Sequence, residues 1–184
     1  MTTTPSDTDL LRGCRKGDRK AQELLYRNYY RSMMALCLRY CGNDEDAMEA
    51  LNNGFLKVFR NVARYDAAQG SLYTWMRTIV LNACLDYIKS RSRNEPTREL
   101  TDTMEADLPA EAVSRLQAAE LLALVRALPP ATAAVFNLYA IEGYNHREIG
   151  TLLGISEGTS KWHLSTARKQ LQQMIHQQNL KCHE

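Results

Sequence analysis

The sequence predicts an all-α protein: two small helical domains joined by a flexible acidic linker, the second containing a helix-turn-helix. Three observations predict it. Apolar residues recur at spacings of three and four along most of the chain, with no competing alternation of the β type. That periodicity stops over residues 94–110, where Pro96, Thr97, Thr101, Thr103 and a run of acids accumulate. Beyond it, NHREIGTLLGISEGTSKWHLSTARKQL over residues 145–171 reads as two short capped helices about a glycine turn. A chain of 184 residues with 45% hydrophobic content has enough apolar surface for two packed cores.

The opening MTTTPSDTD has neither the basic stretch nor the apolar core of a signal peptide, and no apolar run reaches ~18 residues. Residues 1–9 are expected to be a disordered N-terminus and the protein to be cytoplasmic. Nearly everything from Asp9 to Arg93 then reads as helix, giving a first domain over 10–93. Ala21 to Tyr40 carries Leu25, Tyr29, Met33, Leu36 and Tyr40 on one stripe, ended by Gly42-Asn43. Asp44 is expected to cap the next helix, whose Ala47, Leu51, Phe55, Val58 and Val62 keep helical spacing. Asp66 to Gly70 makes a loop. A fourth helix starts at Ser71 and runs to about Ser90, with Leu72, Met76, Ile79, Ala83 and Tyr87 inward. Such a set packs by default as an antiparallel bundle.

After the linker, a second domain is expected over 111–178, with a short tail at 179–184. It comprises a helix from Ala110 to Leu128, a break at Pro129-Pro130, a helix from Ala131 to Glu142, and the helix-turn-helix. Asn145 and Glu148 have the spacing of a capping box. Ile149, Leu152 and Leu153 give the first helix an apolar face, and Gly154 sits where the helix must stop and the chain turn. Ser156 offers an N-cap oxygen to the second helix, and Leu164, Ala167, Leu171 and Ile175 form its packing stripe. Ser160 falls on the core side. Lys161, Trp162, Ser165, Arg168 and Lys169 occupy the opposite face. An ordinary helical hairpin would share this pattern, but charge separates the two readings. No acid lies between Glu157 and Glu184, whereas Lys161, Arg168, Lys169 and Lys181 are cationic, which suits a polyphosphate partner.

The net charge of +2 conceals this asymmetry, since residues 94–111 hold Glu95, Glu99, Asp102, Glu105, Asp107 and Glu111 against Arg98 alone. Five cysteines (Cys14, Cys37, Cys41, Cys84, Cys182) form no CxxC pair, and the odd count argues against a disulfide framework. Cys37 and Cys41, one turn apart, are expected to pack as small apolar residues. Cys182, His183 and His176 lack the closed spacing of a structural zinc site, so no metal and no cofactor are expected.

Two blocks carry a family resemblance. The first is GNDEDAMEALNNGFLKVFRNVARYD followed by YTWMRTIVLNACLDYIKSR; the second is LPPATAAVFNLYAIEGYNHREIGTLLGISEGTSK followed by ARKQL. Both, in this order and at this separation, resemble the extracytoplasmic-function (ECF) sigma factors, the compact two-domain group of the sigma-70 family, from about Leu10 to Met174. The resemblance implies a non-enzymatic protein that takes core RNA polymerase and promoter DNA as partners and directs promoter recognition, DNA melting and transcription initiation. It implies no small-molecule substrate and, as in many members, an anti-sigma factor as a further partner. The first domain corresponds to region two, which docks on the clamp helices of the largest polymerase subunit and opens the minus-ten element. The second corresponds to region four, which reads the duplex minus-thirty-five element and touches the flap.

On that basis Asp44, Glu45, Asp46, Glu49, Asn52 and Asn53 are the expected polymerase contacts. Many relatives have Gln followed by an acid where this chain has Asn52-Asn53, so charge pairing there falls on the four acids. For melted DNA the expected residues are Tyr73, Arg77, Asn82, Lys89 and Arg91. Asn82 lies inside the apolar run IVLNACL, where a carboxamide is either a satisfied core residue or an outward group able to read a base edge. Tyr73 divides in the same way between core and stacking, and Trp75 is expected to be structural. For duplex DNA the expected residues are Ser156, Lys161, Trp162, His163, Ser165, Arg168 and Lys169. Thr166 replaces a common Arg of the family, which makes bidentate reading of guanine less available. Two rival classes share parts of the pattern: a stand-alone helix-turn-helix regulator, and a nucleic-acid hydrolase using Asp44, Glu45, Asp46 and Glu49. The latter acids have neither a His partner nor a phosphate-cradling loop, and crowd a helix start where the dipole favours them.

Overall fold

The structure, a computed structural model, describes residues 6–92 and 118–181. Among these, all regular structure is helical: α1 (Asp7–Arg15), α2 (Arg19–Tyr40), α3 (Asp44–Asn61), α4 (Leu72–Ser92), α5 (Ala118–Arg126), α6 (Pro130–Phe136), α7 (His146–Leu153) and α8 (Glu157–Lys181). The described residues of Met1–Leu38 and Asn43–Tyr87 form one compact unit, and those of Arg39–Gly42 and Ile88–Glu184 the other. The expected linker, residues 94–110, lies outside the described residues, as do residues 1–5 and 182–184.

In the first unit Leu25, Met33 and Leu36 of α2 and Ala47, Ala50, Leu51, Phe55 and Val58 of α3 are all buried, as the helical spacing predicts, and Tyr26 of α2 packs on Phe55 with ring centroids 4.5 Å apart. Three expectations are corrected. The N-terminus is helical before residue 10, because Ser6 caps α1 by accepting from the Asp9 amide while Asp7 and Asp9 sit in its first turn, where carboxylates complement the helix dipole. Leu10, Leu11 and Cys14 bury its apolar face. The cap of α3 is Asn43, whose Oδ1 accepts from the Asp46 amide at 2.8 Å; Asp44 is already the first helical residue. In α4 the buried stripe is Leu72, Met76, Val80, Ala83 and Cys84, with Ile79 and Tyr87 only partly covered. Val80 displaces Ile79 because Gly54 of α3 lets the α4 backbone come close at that point. Cys37 and Cys84 are both buried, with sulfurs 3.6 Å apart.

The second unit is built around α8. Its Ala167, Leu171 and Ile175 pack with Leu124, Val125, Leu128 and Ala133 into one apolar cluster. The helix expected from Ala131 to Glu142 is instead α6, with Pro130 in its first turn, followed by a π-helical turn over Asn137–Ile141. Pro fits there because the first-turn N–H groups need no intrahelical partner. α8 continues through residues 179–181, the start of the expected tail.

Candidate nucleic-acid interface

Local chemistry builds the helix-turn-helix. Asn145 Oδ1 accepts from the Glu148 amide at 3.0 Å while Glu148 Oε2 accepts from the Asn145 amide at 2.8 Å, so both halves of the capping box are present. Gly154 takes φ 71° and ψ 34°, the left-handed conformation that ends α7, and its amide and that of Ile155 both donate to the Gly150 carbonyl. A Cβ on Gly150 would lie 2.8 Å from the Ile155 carbonyl, so this tight turn needs glycine at 150 as well. Ser156 Oγ then accepts from the Thr159 amide at 3.0 Å and opens α8.

With Leu164, Ala167, Leu171 and Ile175 buried, the opposite face of α8 is set. Lys161 and Lys169 are exposed; Trp162, Ser165 and Arg168 are partly covered. Lys161 pairs with Glu157 one turn earlier at 2.8 Å, which also holds the Glu157 carboxyl below its usual range. Ser160 is fully buried, as its core-side position predicts, and its Oγ lies 3.0 Å from His146 Nδ1. This bond joins the first residue of α7 to α8. Sequence reasoning missed His146, whose ring also stacks on Tyr139 at 4.7 Å. Burial and then the nearby Lys161 push its pKa down.

His163 is held from within its own unit. Its Nδ1 lies 3.0 Å from the Oγ1 of buried Thr132, its ring meets Trp162 edge-on, and burial depresses its pKa. These contacts orient the ring within its own unit while the side chain stays only partly covered. Ser156 spends its hydroxyl on the cap, where it also meets the Thr159 hydroxyl, and its carbonyl accepts from the Ser160 amide.

On the first unit, α4 divides Asn82 from its neighbours. Leu81 and Ala83 are buried while Asn82 is exposed, so the core-Asn alternative is excluded. Tyr73 is 42% exposed on the first turn of the same helix, directly after the 66–70 loop. Trp75 is partly covered and packs on Tyr65 at 5.5 Å, as a structural residue should. Arg77 and Lys89 are half-exposed and Arg91 exposed. Around the start of α3, Asp44, Glu45 and Glu49 are exposed, whereas Asp46 is half-exposed and accepts from Asn43 Nδ2 at 2.8 Å. Asn53 is exposed; Asn52 is tied to α2 by the Tyr26 hydroxyl, which donates to its Oδ1 at 3.2 Å. Among the described residues no His/Cys/Asp/Glu group could hold a metal, and no helix is long and apolar enough to cross a membrane.

A helix-turn-helix with cations on its outer face, on a chain whose other unit holds an outward carboxamide and an exposed tyrosine on one helix, defines a DNA-binding protein. Comparison with known proteins narrows this class. Residues 25–94 match sigma-70 region 2 and residues 118–171 match sigma-70 region 4. The chain is 34% identical over 173 residues to the ECF RNA polymerase sigma factor SigM of Mycobacterium tuberculosis, covering 92% of this chain and 85% of that one. It is 33% identical over 157 residues to the ECF RNA polymerase sigma factor SigE of Mycolicibacterium smegmatis, covering 82% and 60% respectively. Among solved structures, the sigma factor RpoE crystallised with the anti-sigma factor NepR from Bartonella quintana shares the fold, with a TM-score of 0.50 at 16% identity over 84% of this chain and 96% of that one. The chain belongs to the ECF sigma factors of the sigma-70 family. It is thus an RNA polymerase sigma factor that directs transcription initiation.

Proposed function

We propose that the chain divides promoter recognition between two functional domains, residues 10–93 and 111–178, and has no active site of its own. The exposed acids Asp44, Glu45 and Glu49, with Asp46 and the amides of Asn52 and Asn53, meet the clamp helices of core polymerase. Tyr73 and Asn82 take unpaired bases of the minus-ten element, while Arg77, Lys89 and Arg91 follow the backbone phosphates. Lys161, Trp162, His163, Ser165, Arg168 and Lys169, with the backbone amides around Ser156, engage the duplex minus-thirty-five element. The mechanism is coupled binding energy: base capture costs a few kcal/mol of unstacking, which the duplex and polymerase contacts offset. Free protein therefore binds promoter DNA poorly. The site of action is the cytoplasm, and an anti-sigma factor of the kind bound to the RpoE relative is the expected regulatory partner.

The observation that carries this reading is the exposure of Asn82 between buried Leu81 and Ala83. An outward carboxamide there contributes nothing to the core and is available to a base edge. Run-off transcription with core polymerase on an ECF-type promoter tests the proposal; absence of a promoter-specific product at every ratio of protein to core would defeat it. Tight binding to a duplex operator without polymerase would instead favour a stand-alone regulator.

A further inference from the structure

Helix α1 lies outside the segment that matches region 2, which begins at residue 25. Yet two tethers run from it to the two ends of the segment that presents Tyr73. At one end, Arg15 Nη2 donates to the Tyr65 carbonyl at 3.2 Å. Tyr65 passes this anchoring on, since its hydroxyl donates to the Gly70 carbonyl at 3.1 Å and its ring packs on Trp75. At the other end, the Tyr29 hydroxyl of α2 donates to Asp7 Oδ2 at 2.7 Å, and the Tyr29 ring lies 6.5 Å from that of Tyr73 at an interplanar angle of 30°. Separation and tilt both fall in the range of offset aromatic pairs. Burial and then the Asp7 carboxylate push the Tyr29 phenol well above its ordinary pKa, so it remains a donor. The apolar face of α1, Leu10, Leu11 and Cys14, is buried, so the helix is a fixed platform.

We propose that α1 is a buttress for the melted-strand reader: Asp7, through Tyr29, sets the ring of Tyr73, and Arg15, through the Tyr65 carbonyl, sets the loop before it. These are positioning residues that touch no DNA. The inference rests on the role proposed above for Tyr73. Its physical basis is entropic. An exposed aromatic ring on the first turn after a loop samples several rotamers, and each base it stacks must bear the cost of fixing one; a ring already held on Tyr29 avoids that cost.

The test uses the full-length protein with fluorotyrosine placed at position 73 and core polymerase, reading the fluorine spectrum and the rate of open-complex formation. Asp7→Ala, Tyr29→Phe and Arg15→Ala should shift or broaden the Tyr73 resonance and slow opening by about three- to tenfold, the size of a typical coupling between neighbouring groups. These deficits should disappear in the Tyr73→Ala background, whereas loss of stability alone would persist there. Arg12→Ala, on the same helix and paired only with Asp9 in the described contacts, should change neither readout. An unchanged spectrum with Asp7→Ala, or a deficit that survives in Tyr73→Ala, overturns the buttress while leaving the role of Tyr73 standing. Failure of Tyr73→Ala itself to slow opening overturns that role and the proposal with it.

Discussion

Gly54 of α3 and Val80 of α4 touch so closely that a Cβ on Gly54 would lie 2.9 Å from Val80 Cγ2 and 3.1 Å from its Cα. Because one of those atoms is backbone, a rotamer change alone cannot relieve the contact. The two helices must part. Gly54→Ala should gain about 1 kcal/mol of helix propensity and lose about 1–3 kcal/mol to overpacking, a net destabilisation. A raised midpoint of thermal unfolding would show that α3 and α4 are not this close. Gly54→Leu should prevent the first unit from folding, as read by its far-ultraviolet circular dichroism.

Asn82→Ala should leave unfolding within about 0.5 kcal/mol of wild type, because the side chain is exposed and has no core to support. Promoter opening, followed by permanganate reactivity, should fall roughly tenfold or more, the scale of one base contact worth about 1–3 kcal/mol. Binding to core polymerase should be unchanged. A parallel loss of opening and core binding would make Asn82 a general structural residue of α4.

Lys161→Ala should weaken binding to a minus-thirty-five duplex and reduce the slope of log affinity against log salt by about 0.9, the release of one phosphate's counterions. Its ion pair with Glu157 is solvent-exposed, so breaking it should not change thermal unfolding measurably. Glu157→Gln frees the same ammonium from its competitor and should strengthen duplex binding. An unaltered salt slope for Lys161→Ala would take Lys161 off the DNA.

Asn145→Ala removes one half of the capping box and should destabilise the second unit by about 1 kcal/mol. The loss should appear as a lower unfolding midpoint, together with weaker duplex binding, since α7 holds α8 in place. A weaker duplex complex at unchanged stability would mean that Asn145 meets DNA directly.

Stability of the second unit should depend on pH through His163 and His146, whose folded pKa values are both depressed below the ordinary 6.5, chiefly by burial. The unfolded chain then binds protons that the folded one refuses, so the slope of stability with pH is positive through this window. The contribution is complete above about 6.5, the unfolded value, and is lost as pH falls through and below it. His163→Gln should flatten the fall in unfolding midpoint between neutral and mildly acid pH. A midpoint that rises on acidification would reverse the assignment.

How far this was legible from the chain can be argued residue by residue. The stripe Leu164, Ala167, Leu171 and Ile175, the capping box of Asn145 and Glu148 and the turn at Gly154 are local, since each partner lies within a few residues of the other. Their geometry follows from helical periodicity and from hydrogen bonds that close inside one turn. Asp44 is the expected cap of α3, yet the bond to the Asp46 amide comes from Asn43 one residue earlier, a shift that spacing alone does not reveal. His163 illustrates a different limit, because its partner Thr132 is distant in the sequence and nothing near His163 announces it.

The amino-acid sequence by itself determined the all-helical class, the helix-turn-helix and the face of α8 that lies opposite its packing stripe, because these depend on interactions between near neighbours along the chain. Only the tertiary structure decided that Asn82 points outward, that Val80 rather than Ile79 fills the contact with Gly54, and that α1 reaches Tyr65 and Tyr29. Each of those outcomes depends on which surface of a helix meets another helix, and that is set by packing between residues far apart in the chain.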